Sequence, residues 1–175
     1  DGSGRHVDLA IAAISAGLDA LIVSDHNVLA RDFEKYWQVE DGKILMLVGE
    51  EIHDQTMFPQ KNHLLVFNAK EELAHLAQNT QELIDETKKR GGLSFIAHPY
   101  DPECPPINEG DISWEKWSVR NYDGIELWNS LSDLKIRSKN FLQILFFIFF
   151  PKFLNVAPPQ QHLDPVSYTH LRAHE

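Results

Sequence analysis

Several short apolar runs in this chain stop abruptly on a carboxylate or an imidazole, and that punctuation constrains the fold more than any other feature. Ala20-Leu21-Ile22-Val23 gives way to Ser24-Asp25-His26-Asn27, Ile44-Leu45-Met46-Leu47-Val48 runs into Gly49-Glu50-Glu51, and Leu93-Ser94-Phe95-Ile96-Ala97 meets His98-Pro99. Runs of this length bounded by polar residues read as buried strands, with the polar residues at their C-terminal ends. Leu64-Leu65-Val66-Phe67 and Gly124-Ile125-Glu126-Leu127-Trp128 add two further strands. Between them lie helical patterns. Val7, Ile11 and Ile14 share one face before Gly17, and the stretch from Glu71 to Arg90 is stopped by Gly91-Gly92. Strands alternating with helices predict an α/β chain with a largely parallel sheet, and an incomplete barrel fits best.

In parallel α/β sheets and barrels the C-terminal strand ends converge on one face, where ligands and catalytic groups collect. The pattern therefore predicts that Asp25, His26, Glu51 and His98 meet. Imidazole and carboxylate suit Zn²⁺, Mn²⁺ or Fe²⁺, and a carboxylate such as Glu51 can bridge two ions. His63, in Asn62-His63-Leu64, begins a strand, so convergence does not place it. Taken singly, each signal has a plainer explanation: a histidine beside a strand is more often a hydrogen-bonded structural residue, and Asp-His-Asn can be a turn. Three such strand ends in one short chain favour the metal.

Composition narrows the partners. With 16 Lys and Arg against 26 Asp and Glu, a formal charge of −10 and no dense basic stripe, a nucleic-acid partner is not expected. A small phosphate ester remains compatible, because a bound cation supplies the positive charge the bulk lacks. The single cysteine, Cys104, excludes an internal disulfide and a Cys-rich zinc site. The apolar run 141–150 is about half the ~20 residues a bilayer span needs and is closed by Pro151-Lys152, so it is read as a buried or partner-facing helix and no membrane span is expected. Residues 101–120 carry three prolines and two tryptophans, the chemistry of a long loop with aromatic anchors.

The motifs together resemble a known family. Ala16-Gly17-Leu18-Asp19-Ala20-Leu21-Ile22-Val23-Ser24-Asp25-His26-Asn27, Gly49-Glu50-Glu51-Ile52, Asn62-His63-Leu64-Leu65 and Ile96-Ala97-His98-Pro99 resemble, in order, motifs of the polymerase-and-histidinol-phosphatase (PHP) metallohydrolases. Gly124-Ile125-Glu126-Leu127-Trp128-Asn129 and the Phe-rich segment after it are similar to the CehA/McbA branch. The resemblance implies an incomplete, distorted (β/α)7 barrel over residues 1–163 holding one to three divalent metals (Zn, Mn or Fe). It implies hydrolysis of a small-molecule substrate, most often a phosphate ester, by metal-activated water. Asp25, His26, Glu51, His63 and His98 are then metal ligands, Glu51 and His98 are also catalytic, and Glu126 and Asn129 line the substrate pocket. His53 and His75 are expected to be surface or supporting residues, and Glu50 a neighbour. A carbamate or ester hydrolase on the same metals, and a non-catalytic barrel binding a partner through its Phe-rich helix, are the alternatives.

The family's opening His-x-His would precede Asp1-Gly2, and its closing Gly-Ser-Asp-Ala-His would follow residue 163. Residues 164–175 have no periodicity and are read as a non-native tail, so His170 and His174 are assigned to no site. Both ends of the centre are thus expected to be missing, leaving these 175 residues inactive and poorly folded and the parent protein active, with its compartment unreadable.

Overall fold

The computed structural model describes residues 4–138, 140–150 and 153, so the tail assigned to 164–175 lies outside the described residues. The described chain separates into two compact units. One comprises the residues up to His53 together with Leu64–Ser94, the other Asp54–His63 with the described residues from Phe95 onward.

The first unit is built on a long strand. Helix α1 (His6–Ser15) sets Ala10 and Ala13 against Ile44 and Met46 of β3 (Gly42–Ile52), with Ile14, Leu21, Val23, Phe33 and Trp37 packed around them. The face differs from the expected one, because Ile11 is exposed while the two alanines are buried. Small side chains let the helix approach closely: a Cβ on Gly42 would run into Ile14 Cγ2. The helix stops where expected. Gly17 takes φ +75°, with Leu18 N–H donating to Ala13 O (3.0 Å) and Gly17 N–H to Ile14 O (2.9 Å), a Schellman closure that satisfies the last carbonyls.

The expected incomplete, distorted (β/α)7 barrel is overturned by the strand pairing. The strands β1 (Ala20–His26), β2 (Lys35–Val39), β3, β4 (Leu64–Phe67), β5 (Leu93–Ile96) and β6 (Gly124–Ile125) form an open mixed sheet in the order β1-β3-β4-β5-β6, with β2 also on β3. β1 runs parallel to β3, and β5 to β6, but β2 and β4 are both antiparallel to β3. The reason lies in the connections. Parallel neighbours need a crossover of about a dozen residues or more, usually helical. Only Glu40-Asp41 separate β2 from β3, and residues 53–63 between β3 and β4 contain no helix. β2 has no counterpart among the strands read from the sequence, whereas β6 ends at Ile125, short of the expected Trp128.

β1 and β3 also run further than expected, through Ser24-Asp25-His26 and through Glu50-Glu51. Gly49 permits this locally. It faces Phe67 across the β3/β4 ladder, and a Cβ there would strike the Phe67 ring and come within 2.9 Å of the Val66 carbonyl oxygen. The helix expected over 71–90 is divided: residues 74–76 make a single 3₁₀ turn and α2 spans Thr80–Lys89. Asn79 restarts it, its Oδ1 accepting from Glu82 N–H at 3.3 Å.

In the second unit Asn62 Oδ1 accepts from Glu115 N–H (2.8 Å) and Lys116 N–H (3.0 Å), and buried Trp114 donates its backbone N–H to Pro99 O, so the long loop is pinned as its aromatic anchors predict. Cys104 is buried and free. Helix α3 (Ser130–Arg137) follows, then α4 (Phe141–Phe149), capped by Asn140. Within α4 Ile144 is buried, while Phe141, Leu142, Phe146, Ile148 and Phe149 are exposed. No helix among the described residues is long and apolar enough to cross a membrane.

Candidate metal centre

Strand alternation sorts the first unit's polar residues onto two faces. Ile44, Met46, Val48, Glu50 and Ile52 are the buried series of β3, and Leu45, Leu47, Gly49 and Glu51 point the other way. In the parallel register His26 lies directly opposite Glu51. Their side chains meet on that second face, with His26 Nε2 3.4 Å from Glu51 Oε2 and both partly buried. A charge-assisted hydrogen bond would be shorter, about 2.7–2.9 Å. Two ligands at about 2.1 Å from a tetrahedral ion are themselves about 3.4 Å apart, so the donor pair fits around a divalent metal without rearrangement.

His53, two residues beyond Glu51, is buried, with its ring edge-on to His26 at 4.9 Å between centroids. Asn27 holds this corner. In a left-handed conformation (φ 54°), it donates its N–H to Glu51 O (3.0 Å) and accepts His53 N–H on Oδ1 (3.0 Å). Asp25 turns to the opposite face, where its Oδ2 lies 3.5 Å from Nε2 of His6, whose ring stacks on Phe33 at 3.7 Å. The structure therefore does not bring Asp25 beside the His26–Glu51 pair. Glu50 is almost fully buried and accepts Leu73 N–H at 3.1 Å; burial holds its carboxyl above the usual carboxylate range, with the Leu73 hydrogen bond working against that rise.

The second unit brings the other two expected ligands together. His63 and His98 are buried, with ring centroids 4.8 Å apart and planes at 70°. His63 O accepts Ala97 N–H at 3.0 Å, tying the residue that leads β4 to the end of β5. His98 sits at φ 26°, and its backbone N–H donates to Glu126 Oε2 at 2.6 Å. Glu126 Oε1 accepts from Asn129 Nδ2 (3.1 Å), and Asn129 Oδ1 caps α3 by accepting from Leu131 and Ser132 N–H. These contacts give Glu126 and Asn129 a share in holding the backbone of His98 and the start of α3. Behind His98 lies Asp101, buried and ion-paired to the wholly buried Lys135.

Sequence reasoning thus named both histidine–partner pairs, and His53, expected at the surface or in support, is buried beside His26, but three participants were missed: His6, Asp101 and Lys135. His53 lies one residue beyond the end of β3 and follows Glu51 by the two-residue period of a strand. For Lys135, one charged residue in an ordinary helical stretch, no sequence signal exists. Compared with known proteins, the chain matches no family model, no curated sequence and no solved structure.

Proposed function

We propose that the His26–Glu51 pair of the first unit and the His63–His98 pair of the second are divalent-metal ligands of a metal-dependent hydrolase of the phosphoesterase class, acting on a small phosphate ester. The observation that carries this reading is the 3.4 Å approach of His26 Nε2 to Glu51 Oε2 on neighbouring parallel strands. The buried His63–His98 pair consists of imidazoles, a donor type that suits Zn²⁺, Mn²⁺ or Fe²⁺. The order of the PHP-like motifs supports the same assignment, although the barrel does not form.

A divalent ion held there would provide a Lewis acid and a water with its pKa lowered toward ~7. The chain's own residues have narrower tasks. Glu51 and His26 fix one side of the centre from rigid strands, and the partial burial of Glu51 keeps bulk water from competing for its oxygens. His98 is held through its backbone by Glu126.

Metal content and hydrolysis of p-nitrophenyl phosphate, measured on the natural protein beside its Glu51→Ala variant, test the reading. Loss of stoichiometric Zn²⁺ or Mn²⁺ together with a fall in kcat of at least about 10²-fold is expected. A wild-type protein that takes up no divalent metal sinks the centre. Turnover of p-nitrophenyl acetate or a carbamate without turnover of the phosphate retains the metal and replaces the substrate class.

A further inference from the structure

His98 is fixed at its backbone by Glu126, but a metal-binding imidazole also needs its proton on the correct nitrogen. The second unit contains a group suited to that task. Asp101 follows His98 by one helical turn's worth of sequence and is almost fully buried, with Oδ2 3.7 Å from His98 Nδ1, just beyond hydrogen-bond length. Its carboxylate is held from two sides and its backbone from a third. Lys135 Nζ donates to Oδ1 at 2.5 Å, Ser132 Oγ donates to Oδ2 at 2.9 Å, and the Asp101 backbone N–H donates to Ser113 Oγ at 3.0 Å.

Lys135 is wholly buried and also reaches Glu109 Oε2 at 2.9 Å. Two carboxylates therefore share one buried ammonium, and the cluster carries an excess of negative charge that burial makes costly. The His98 ring lies beside this cluster, its Nδ1 3.7 Å from Asp101 Oδ2. An N–H at Nδ1 pointing to Asp101 lowers that cost, whereas a lone pair at Nδ1 would add repulsion between two acceptors. Ser132 contributes to the geometry as well, since the Asn129 cap that starts α3 also sets its backbone.

The geometry points to Asp101, anchored by Lys135 and Ser132, as the positioning residue that keeps the His98 proton on Nδ1 and so leaves Nε2 as the lone-pair donor. The arrangement is a carboxylate–histidine pair of the kind that orients metal-ligating imidazoles and raises their basicity. It rests on the proposed centre only for its purpose, because the tautomer exists with or without an ion. Asp101 and Lys135 touch neither metal nor substrate in this scheme.

Long-range ¹H–¹⁵N correlation of the histidine rings in the metal-free protein, above the pH range of imidazole protonation, reads the tautomer directly, with His98→Gln assigning the signals. His98 is expected in the Nδ1–H form, shifting toward Nε2–H in Asp101→Asn, whose amide can donate to Nδ1. A wild-type His98 in the Nε2–H form overturns the inference, and so does an unchanged Nδ1–H population in Asp101→Asn. Should that single variant fail to fold, Asp101→Asn with Lys135→Met removes the opposing charge at the same time and carries the same comparison. Zn²⁺ titration separates this inference from the metal reading. A loss of about 10–100-fold in affinity in Asp101→Asn is expected. Equal affinity in the two proteins defeats the positioning role while the centre survives, and a wild type with the Nδ1–H tautomer that binds no metal defeats the centre while the positioning role survives.

Discussion

Glu50 and Glu51 are neighbours in sequence with opposite fates, and the difference is one of face. Glu51 looks toward His26, and Glu50 points into the buried series of β3, where desolvation raises its pKa. The folded carboxyl then keeps its proton to higher pH than the unfolded one. Above the ordinary carboxylate range, about 4.3, the folded state binds more protons than the unfolded state, so stability falls as pH rises through that window. Glu50→Gln keeps an acceptor for Leu73 N–H and cannot ionise. Thermal melts in chelator should find the variant more stable than wild type at pH 7, with the gap closing as pH falls toward 4; a gap independent of pH would mean that Glu50 does not titrate in this way. At this scale the sequence was informative where a residue's position follows from its place at a strand end, as for His26 opposite Glu51. It was silent where a role comes from tertiary contact alone. Asp101 and Lys135 are 34 positions apart and give no local sign that they meet.

Elements were legible at their ends more than in their pairing. Gly17 and Gly91, both left-handed, close α1 and α2 where the glycines predicted, because few other residues tolerate that backbone. Asn79 carries the start of α2 in the same way. Asn79→Ala removes the acceptor for Glu82 N–H and should cost about 1 kcal/mol, a fall in Tm of about 2–4 °C for a chain of this size, while the fold survives. No melting change would show that the cap is replaced by another acceptor. β2 escaped notice because its turn into β3, Glu40-Asp41, uses Glu40 at φ 52° in place of the glycine or asparagine that usually marks a tight hairpin. On α4 the exposed apolar side chains make few demands on folding. Leu142→Glu should change stability by no more than about 0.5 kcal/mol, and chemical denaturation would reveal a larger penalty if that side chain were covered by a partner.

At the scale of the molecule, alternation of strand and helix suggested a barrel, and two antiparallel pairings around β3 made an open mixed sheet instead. Periodicity reports which faces are buried, but strand direction depends on whether a connection is long enough to cross over, and those connections carry no helix. The parallel β1/β3 pair, which sets His26 opposite Glu51, is the part of the expectation that the fold retains. Ion binding at the proposed ligands should raise the stability of the fold that positions them. Zn²⁺ at about 100 times its Kd should stabilise the fold by about 2.7 kcal/mol and raise Tm, with EDTA reversing the gain, and a Tm indifferent to both would count against the centre.

Gly49 carries one more consequence. Its missing side chain lets the Phe67 aromatic ring lie on the face that Glu51 also occupies, with Leu65 directly opposite the carboxylate. The pair of donors is therefore bordered by hydrocarbon from β4, and the local polarity around them is set by residues that bind nothing. For anyone redesigning the protein, positions 65 and 67 are the dials for tuning the metal affinity of the proposed centre, while position 49 is the one to leave alone.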